Sequence, residues 1–410
     1  MARAKTAAHD ESDADRRLSI AFLNWAHALD HYVMLIFPTV VIGLEAVYGR
    51  PYGELLAIGT ASFFAFGLFS LPAGWIADRW SRRNMMAVFY LGCGLSLGAA
   101  AFAPNFVVLA FALFMLGLFA AIYHPVGTAM VVAAATNRGR TLAWNGVFGN
   151  VGVALAAGIT AVLIAWVGWR GAFLVPAAIC VVTGIAYLAL VPDDRHRAAG
   201  RATKADVQLR IGVMIAVFAM FVLIGTTAGL VFNTLTIALP KVIDERIGNS
   251  ISLVAVGGIA TAVFLCGAVA QVTIGRVLER VPAHLTFVAV ALMQFVGVVW
   301  TYYAKGYGLL VALAFTMAGV YAQVTVTDFV IARYTADAWR GRVYAVRYFI
   351  TYLISGAAIT MIAFLHGRGG FDLVLGATAI VALGFVIGTS GVALLVNGVE
   401  RDRKAIQPAE

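Results

Sequence analysis

The stretch Gly74-Trp-Ile-Ala-Asp78-Arg79-Trp-Ser-Arg82-Arg83 directly follows the second long apolar run of the chain. An altered copy, Gly275-Arg276-Val-Leu-Glu279-Arg280, follows the eighth such run, 201 residues later. A second pair of signals recurs at nearly the same offset. Arg138-Gly-Arg140 and Arg340-Gly-Arg342 stand 202 residues apart, before the fifth and eleventh runs. Two loop motifs repeated at one offset point to an internal duplication of half the chain.

The runs themselves exclude a soluble protein. The 410 residues are 62% hydrophobic and 12% charged, with mean hydropathy +0.90, about half the charge of an ordinary globular domain. Apolar segments fall at roughly 18–46, 53–77, 84–103, 106–134, 139–166, 170–191, 211–242, 251–274, 283–304, 307–334, 339–366 and 371–398, each long enough to cross a bilayer as a helix. The net charge of +9 suggests a nucleic-acid partner until its position is considered. With the N-terminus inside, 22 of the 29 Lys and Arg residues fall on the inner side and six on the outer side. That bias marks a multi-pass membrane protein with both termini in the cytoplasm. Met1 to Arg17 lacks the charged-then-apolar pattern of a cleaved signal peptide, so the first run is expected to stay in the protein. Cys93, Cys180 and Cys266 all lie inside apolar runs, which implies neither a disulfide framework nor a Cys-based metal site. The expected organisation is a tail (1–17), a first bundle (18–191), a polar linker (192–210), a second bundle (211–398) and a tail (399–410).

The loop at Gly74 resembles the Gly-x-x-x-Asp-Arg-x-x-Arg-Arg loop between helices 2 and 3 of the major facilitator superfamily. The resemblance implies an all-α integral membrane fold of twelve transmembrane helices in two pseudo-symmetric six-helix bundles. It also implies a substrate cavity between the halves near the midplane, lined by segments one, four, seven and ten. Asp78 would sit against the N-terminus of helix 11, near Trp339-Arg340, where the helix dipole favours negative charge, and this contact closes the cytoplasmic side. Gly74, Arg79, Arg82 and Arg83 complete the gating loop, the arginines also anchoring it to anionic lipid. Glu279 is the weaker counterpart in the second half.

Ionisable residues inside spans are costly and are functional candidates. Segment one carries His27-Ala-Leu-Asp30-His31, whose i, i+3, i+4 spacing places all three on one helix face. Segment four carries Tyr123-His124-Pro125, at a similar depth. Asp30 and His124 are expected to take up and release a proton as the cavity alternates; a buried hydrogen-bonded packing cluster is the alternative. Pro125 removes a backbone donor and should bend segment four. Asp328 and Arg347 lie within segments ten and eleven. An unpaired Arg at that depth is expensive, so either these two pair or Arg347 meets a substrate anion. By the 202-residue offset Arg347 matches Asn145. Asn233, Thr234 and Thr236, with Gln323, Thr325 and Thr327, are candidate cavity lining, as are Tyr123, Tyr321 and Tyr344. Gly146, Gly149 and Gly152 form a small face on segment five suited to close helix packing.

His-x-x-Asp in helix 1 with His-Pro in helix 4 is similar to the fosmidomycin-resistance efflux branch of the superfamily. Here the first motif is one residue short, and Val126 stands where that branch has Glu, so drug specificity is not carried over. The Gly-rich fifth segment of the family's exporters tilts the expectation toward export. The resulting expectation is a monomeric, proton-coupled secondary transporter of a small molecule in the inner (plasma) membrane. It is not an enzyme and has no cofactor, bound metal or nucleic-acid partner. No Gly-x-x-x-x-Gly-Lys-Ser/Thr run supports direct ATP coupling. The alternatives are a divalent transition-metal carrier using His27, Asp30, His31 and His124, an organic-anion carrier, and a non-transporting membrane assembly factor.

Overall fold

The computed structural model describes residues 13–192, 211–247, 251–334 and 337–406, with side chains described for all of these except 138–139, 211–221, 332–348 and 395–406. Among the described residues there are helices and no strands. A chain in lipid must satisfy its backbone groups internally, and helices do so within one segment.

The first span is α1 (Asp13–Tyr48). The second is broken into α2 (Tyr52–Ala57), α3 (Thr60–Leu68) and α4 (Ser70–Arg79), with a 43° bend before α4. The third is α5 (Arg82–Ala101). The fourth runs through α6 (Phe106–Ala120), a π-helical turn (Tyr123–Gly127) and α7 (Thr128–Ala134). The second half contains α9 (Ile211–Ile247), α10 (Leu253–Leu278), α11 (Ala283–Tyr303) and α12 (Gly308–Tyr334). Two helices, α8 (Arg138–Leu190, 53 residues) and α13 (Asp337–Ile406, 70 residues), are too long for one crossing and are interrupted at Gly168 and at Gly369–Gly370. Counting each as two spans completes twelve.

Two boundaries differ from the sequence reading. Helix α1 starts at Asp13 rather than at 18, with Asp13 and Asp15 in its first turn, where the dipole favours acids. The second span is not one continuous helix over 53–77. Side-chain caps start several spans: Ser81 accepts from the Asn84 amide, Asn105 from Val108, Asn137 from Arg140 and Ser252 from Ala255, the usual satisfaction of orphan N–H groups.

The duplication is visible in the backbone. Gly168 has φ 73° and Gly370 φ 62°, and they stand 202 residues apart. Positive φ is a conformation that L side chains rarely adopt. It lets the chain reverse between two spans with almost no polar loop. Pro38 in α1 and Pro240 in α9 share the same offset and line one small cavity between the halves.

Where the halves meet, small residues admit close approach, as expected where both partners are already apolar. A side chain at Gly53 would run into the Ala363 carbonyl, and one at Gly67 into the Leu353 backbone. Gly257 of α10 faces Ala157 and Ala161 of α8 in the same way. Within the first half, Gly152 lies against the backbone of Ala28 and Gly149 against the ring of His27, so both serve helix packing; Gly146 faces open space. Gly74 abuts Pro125, where an added Cβ would lie 3.3 Å from the Pro125 Cβ.

Gly168→Ala is expected to destabilise the protein by about 1–2 kcal/mol, the cost of a left-handed L residue. Gly98→Ala, in a helix and facing open space, is expected to be neutral or stabilising. Thermal melting of the two variants in detergent checks the contrast.

Candidate functional site

Asp30 stands about midway along α1 and has no exposed surface. His27 and His31 flank it on the same helix face, with ring centroids 5.0 Å apart. The fourth span brings His124 to this face. Pro125 cannot donate to the helix ladder and crowds the preceding turn, and the chain responds with the π-helical turn Tyr123–Gly127. Such turns are frequent at functional positions. His124 thereby lies 5.4 Å, ring to ring, from both His27 and His31. Its Nε2 is 3.2 Å from Oδ2 of Asp30. The two atoms are close but misaligned: neither Asp30 oxygen nor the His124 Nε2 has a hydrogen-bond partner among the described residues. The three imidazoles present ligating nitrogens all within 4.8 Å of one another, a set that could hold a metal ion.

Asn145 of α8 ties this cluster together. Its backbone carbonyl is 2.8 Å from His27 Nδ1. Its side-chain oxygen accepts from the Tyr123 hydroxyl at 3.1 Å, and its Nδ2 donates to Asn24 Oδ1 at 3.0 Å. Tyr123 also stacks on His27 with centroids 4.8 Å apart. From the second half, Tyr352 of α13 lies 4.7 Å from the His124 ring and 4.9 Å from Phe66 of α3. The site therefore sits where the two bundles meet.

The other expected residues are placed differently. Asn233 donates to the Gly229 carbonyl on its own helix at 2.8 Å. Thr234 is fully buried. Gln323 faces α11, where Gln294 Nε2 lies 3.4 Å from its oxygen; it packs α11 against α12 rather than joining the histidines. Tyr321 is buried against Phe232 and Phe264. Asp328 is half-buried in α12. The side chains of Arg347, Tyr344, Trp339 and Arg340 lie outside the described residues, and so does the expected contact of Asp78 with helix 11. Asp78 itself accepts from Arg82, at 2.8 Å from Nη2 and 3.2 Å from Nε. Arg83 donates to the carbonyls of Leu188 and Val191, fastening the loop to the end of the sixth span. Arg79 lies over the Trp75 ring at 4.0 Å. Glu279 is exposed at the end of α10.

A second ionic cluster lies at the end of α9 away from the Asp78 loop. Lys241 of α9, counted with the outer charges in sequence, is 6% exposed. It bonds Glu45 of α1, so the pair joins the two halves. It also pairs with Asp244 at 2.8 Å and approaches Glu245 at 3.6 Å. His366 Nε2 contacts Glu245 at 2.8 Å. Tyr52 of the first half packs against the His366 and Phe371 rings, which are themselves 4.8 Å apart. Lower down, Asn150 of α8 donates to Gln271 of α10 at 2.8 Å. Lys241, Tyr52, Asn150 and Tyr352 carry no sequence signal of these roles beyond polar or aromatic character inside an apolar run.

A family model described as Major Facilitator Superfamily matches residues 20–247. An uncharacterized MFS-type transporter of Bacillus subtilis, YfnC, is 30% identical over 159 residues, 38% of this chain and 39% of that protein. The puromycin resistance protein pur8 of Streptomyces alboniger is 36% identical over 172 residues, 40% and 33% of the two chains. The gentisate transporter of Corynebacterium glutamicum is 29% identical over 206 residues, 48% and 44%. The chain thus covers less than half the length of these relatives. Among solved structures, an inward-facing bacterial homolog of the human lysosomal transporter Spinster has TM-score 0.74 at 12% identity, covering 93% of this chain and 97% of that one. A D-xylose–proton symporter has TM-score 0.72 at 14% identity, covering 90% and 97%. At such identities the likeness is one of fold. These matches support the superfamily and not the fosmidomycin-resistance branch specifically.

Removing Lys241 leaves three carboxylates facing one another in a largely enclosed site, whereas removing the Glu45 charge leaves Lys241 two partners. Lys241→Met is therefore expected to lower stability by about 1–3 kcal/mol and Glu45→Gln by less. Melting temperatures of the two variants check the order, and equal or reversed effects would contradict the assigned pairing.

Proposed function

The chain belongs to the major facilitator superfamily, and from that premise we propose that it is a secondary active transporter. It moves a small molecule across the inner (plasma) membrane by alternating access, coupled to the proton gradient, with export favoured over import. It acts as a monomer with both termini in the cytoplasm.

The observation that carries this reading is the fully buried Asp30 carboxylate, midway along a membrane-spanning helix, 3.2 Å from His124 and one aromatic ring from the second half. Ionisable groups at this depth mark proton and substrate paths in membrane proteins. In this fold class the site between the halves is alternately exposed to each side. A proton on Asp30 removes a charge from a low-dielectric site and lowers the electrostatic penalty of repacking the helices around it. The contacts at the end taken as outer, with Tyr52 packed on His366 and Lys241 joined to Glu45, fit a state in which the site communicates inward. Opening outward requires both contacts to break. The Asp78 loop, against the N-terminus of helix 11, then closes the inner side.

Support for export comes from the glycines on α8 that pack against α1 and from the name of the puromycin-resistance relative. The relative named for gentisate makes an organic acid a compatible cargo, but Asp30 would repel a carboxylate brought to the same site, so that reading is not favoured.

The test uses proteoliposomes with an imposed pH gradient and a trapped pH dye, screened with cationic drugs, organic acids and sugars. A substrate-dependent proton flux is expected in the wild type and absent in Asp30→Asn; coupled flux that persists in folded Asp30→Asn would sink the proton role. Asp78→Asn is expected to slow turnover with substrate affinity preserved, and a loss confined to affinity would contradict its gating role.

A further inference from the structure

Proton coupling needs one carrier at the central site, yet three imidazoles converge there beside the carboxylate. Ring packing accounts for their proximity. It does not account for both Asp30 oxygens and His124 Nε2 being buried without a hydrogen bond among the described residues, because buried polar atoms left unpartnered are costly.

The state of His27 is set by its neighbour. A backbone carbonyl only accepts, so the 2.8 Å contact between His27 Nδ1 and the Asn145 oxygen places the ring proton on Nδ1 and leaves the Nε2 lone pair free. Asn145 is itself held by Tyr123 and Asn24. A histidine whose second nitrogen donates to a carbonyl is oriented as metal-binding histidines are. His31 lies one helical turn from His27, and His124 arrives from another span on the π-helical turn.

We propose that His27, His31 and His124, with Asp30 as the fourth donor, bind a divalent first-row transition-metal ion of the Zn²⁺, Co²⁺ and Ni²⁺ class at the middle of the membrane. Three imidazole nitrogens and one carboxylate are the donors that these ions prefer, whereas Mg²⁺ and Ca²⁺ favour oxygen alone. No thiol joins the group among the described residues, which sets it apart from sites for soft cuprous ions. A tetrahedral ion holds nitrogens at about 2.0–2.1 Å, and therefore about 3.3 Å apart. The observed spread of up to 4.8 Å closes by roughly 1–1.5 Å through side-chain rotation. Asp30 supplies the negative charge that a dication requires away from water. The inference rests on the transport reading only for movement of the ion; binding stands or falls separately.

The test is equilibrium dialysis of the full-length protein, purified in detergent with any affinity tag removed, against Zn²⁺, Co²⁺, Ni²⁺ and Mg²⁺, followed by elemental analysis and the visible spectrum of the Co²⁺ form. The expected result is about one Zn²⁺ or Co²⁺ per chain, no retained Mg²⁺, and the intense visible bands of four-coordinate Co²⁺. His27→Ala, His31→Ala and His124→Ala should each weaken binding at least about tenfold, while His366→Ala at the outer cluster leaves it unchanged. Size-exclusion profiles identify variants that remain folded, and His31→Gln provides a milder replacement should an alanine variant aggregate. Absence of binding in folded wild type, binding that survives the three central variants, or binding lost only in His366→Ala would overturn the proposal. None of those results would alter an Asp30-dependent proton flux driven by another substrate, so failure here is distinct from failure of the transport reading.

Discussion

Placing the Asp30 carboxylate with no exposed surface halfway along a membrane-spanning helix carries a penalty of at least several kcal/mol for an isolated charge, and the neighbouring helices are organised around it. The π-helical turn turns His124 toward it. Asn145 fixes His27 beside it, and Tyr352 closes the cluster from the opposite bundle. No hydrophobic force drives one apolar helix against another in lipid. A polar centre reached from both bundles therefore gives the halves a specific place to meet.

The rest of the architecture is built from two similar halves. The reversals at Gly168 and Gly370, related by the same offset as the basic loops, show that the duplication extends to backbone conformation. Function has diverged on this common frame. The position matched to Asn145 is Arg347, and Lys241 corresponds by the same offset to Thr39 in α1. The ionic cluster at Lys241 therefore draws its amine from one bundle and one of its acids from the other, an arrangement that strict symmetry would not supply.

Much of the fold was legible because its signals are local or periodic. Apolar length gave the spans, and two loop motifs gave the duplication. Of the site, the His27, Asp30 and His31 face followed from helical spacing, and His124 from depth. What stayed hidden depends on contacts between residues far apart in the chain. Lys241 meets Glu45 across 196 residues. Asn145 meets His27 across 118. Tyr352 reaches the His124 ring, whereas Tyr321, named from sequence, is buried against Phe232 and Phe264. Gln323 satisfied a polar-lining rule yet faces α11, since spacing alone does not say which neighbour a helix face meets. Within the second span, the bend before α4 has a local cause that a reading by apolar length alone passes over: Pro72, in the first turn of α4, has no amide to donate to the Leu68 carbonyl at the end of α3.

The contact between Gly74 and Pro125 changes the meaning of the most recognisable motif in the chain. Glycine there leaves room for α4 to lean directly on the turn that presents His124. The glycine of the loop motif and the proline beside His124 are thus neighbours in space, so a larger residue at position 74 would push on the π-helical turn itself.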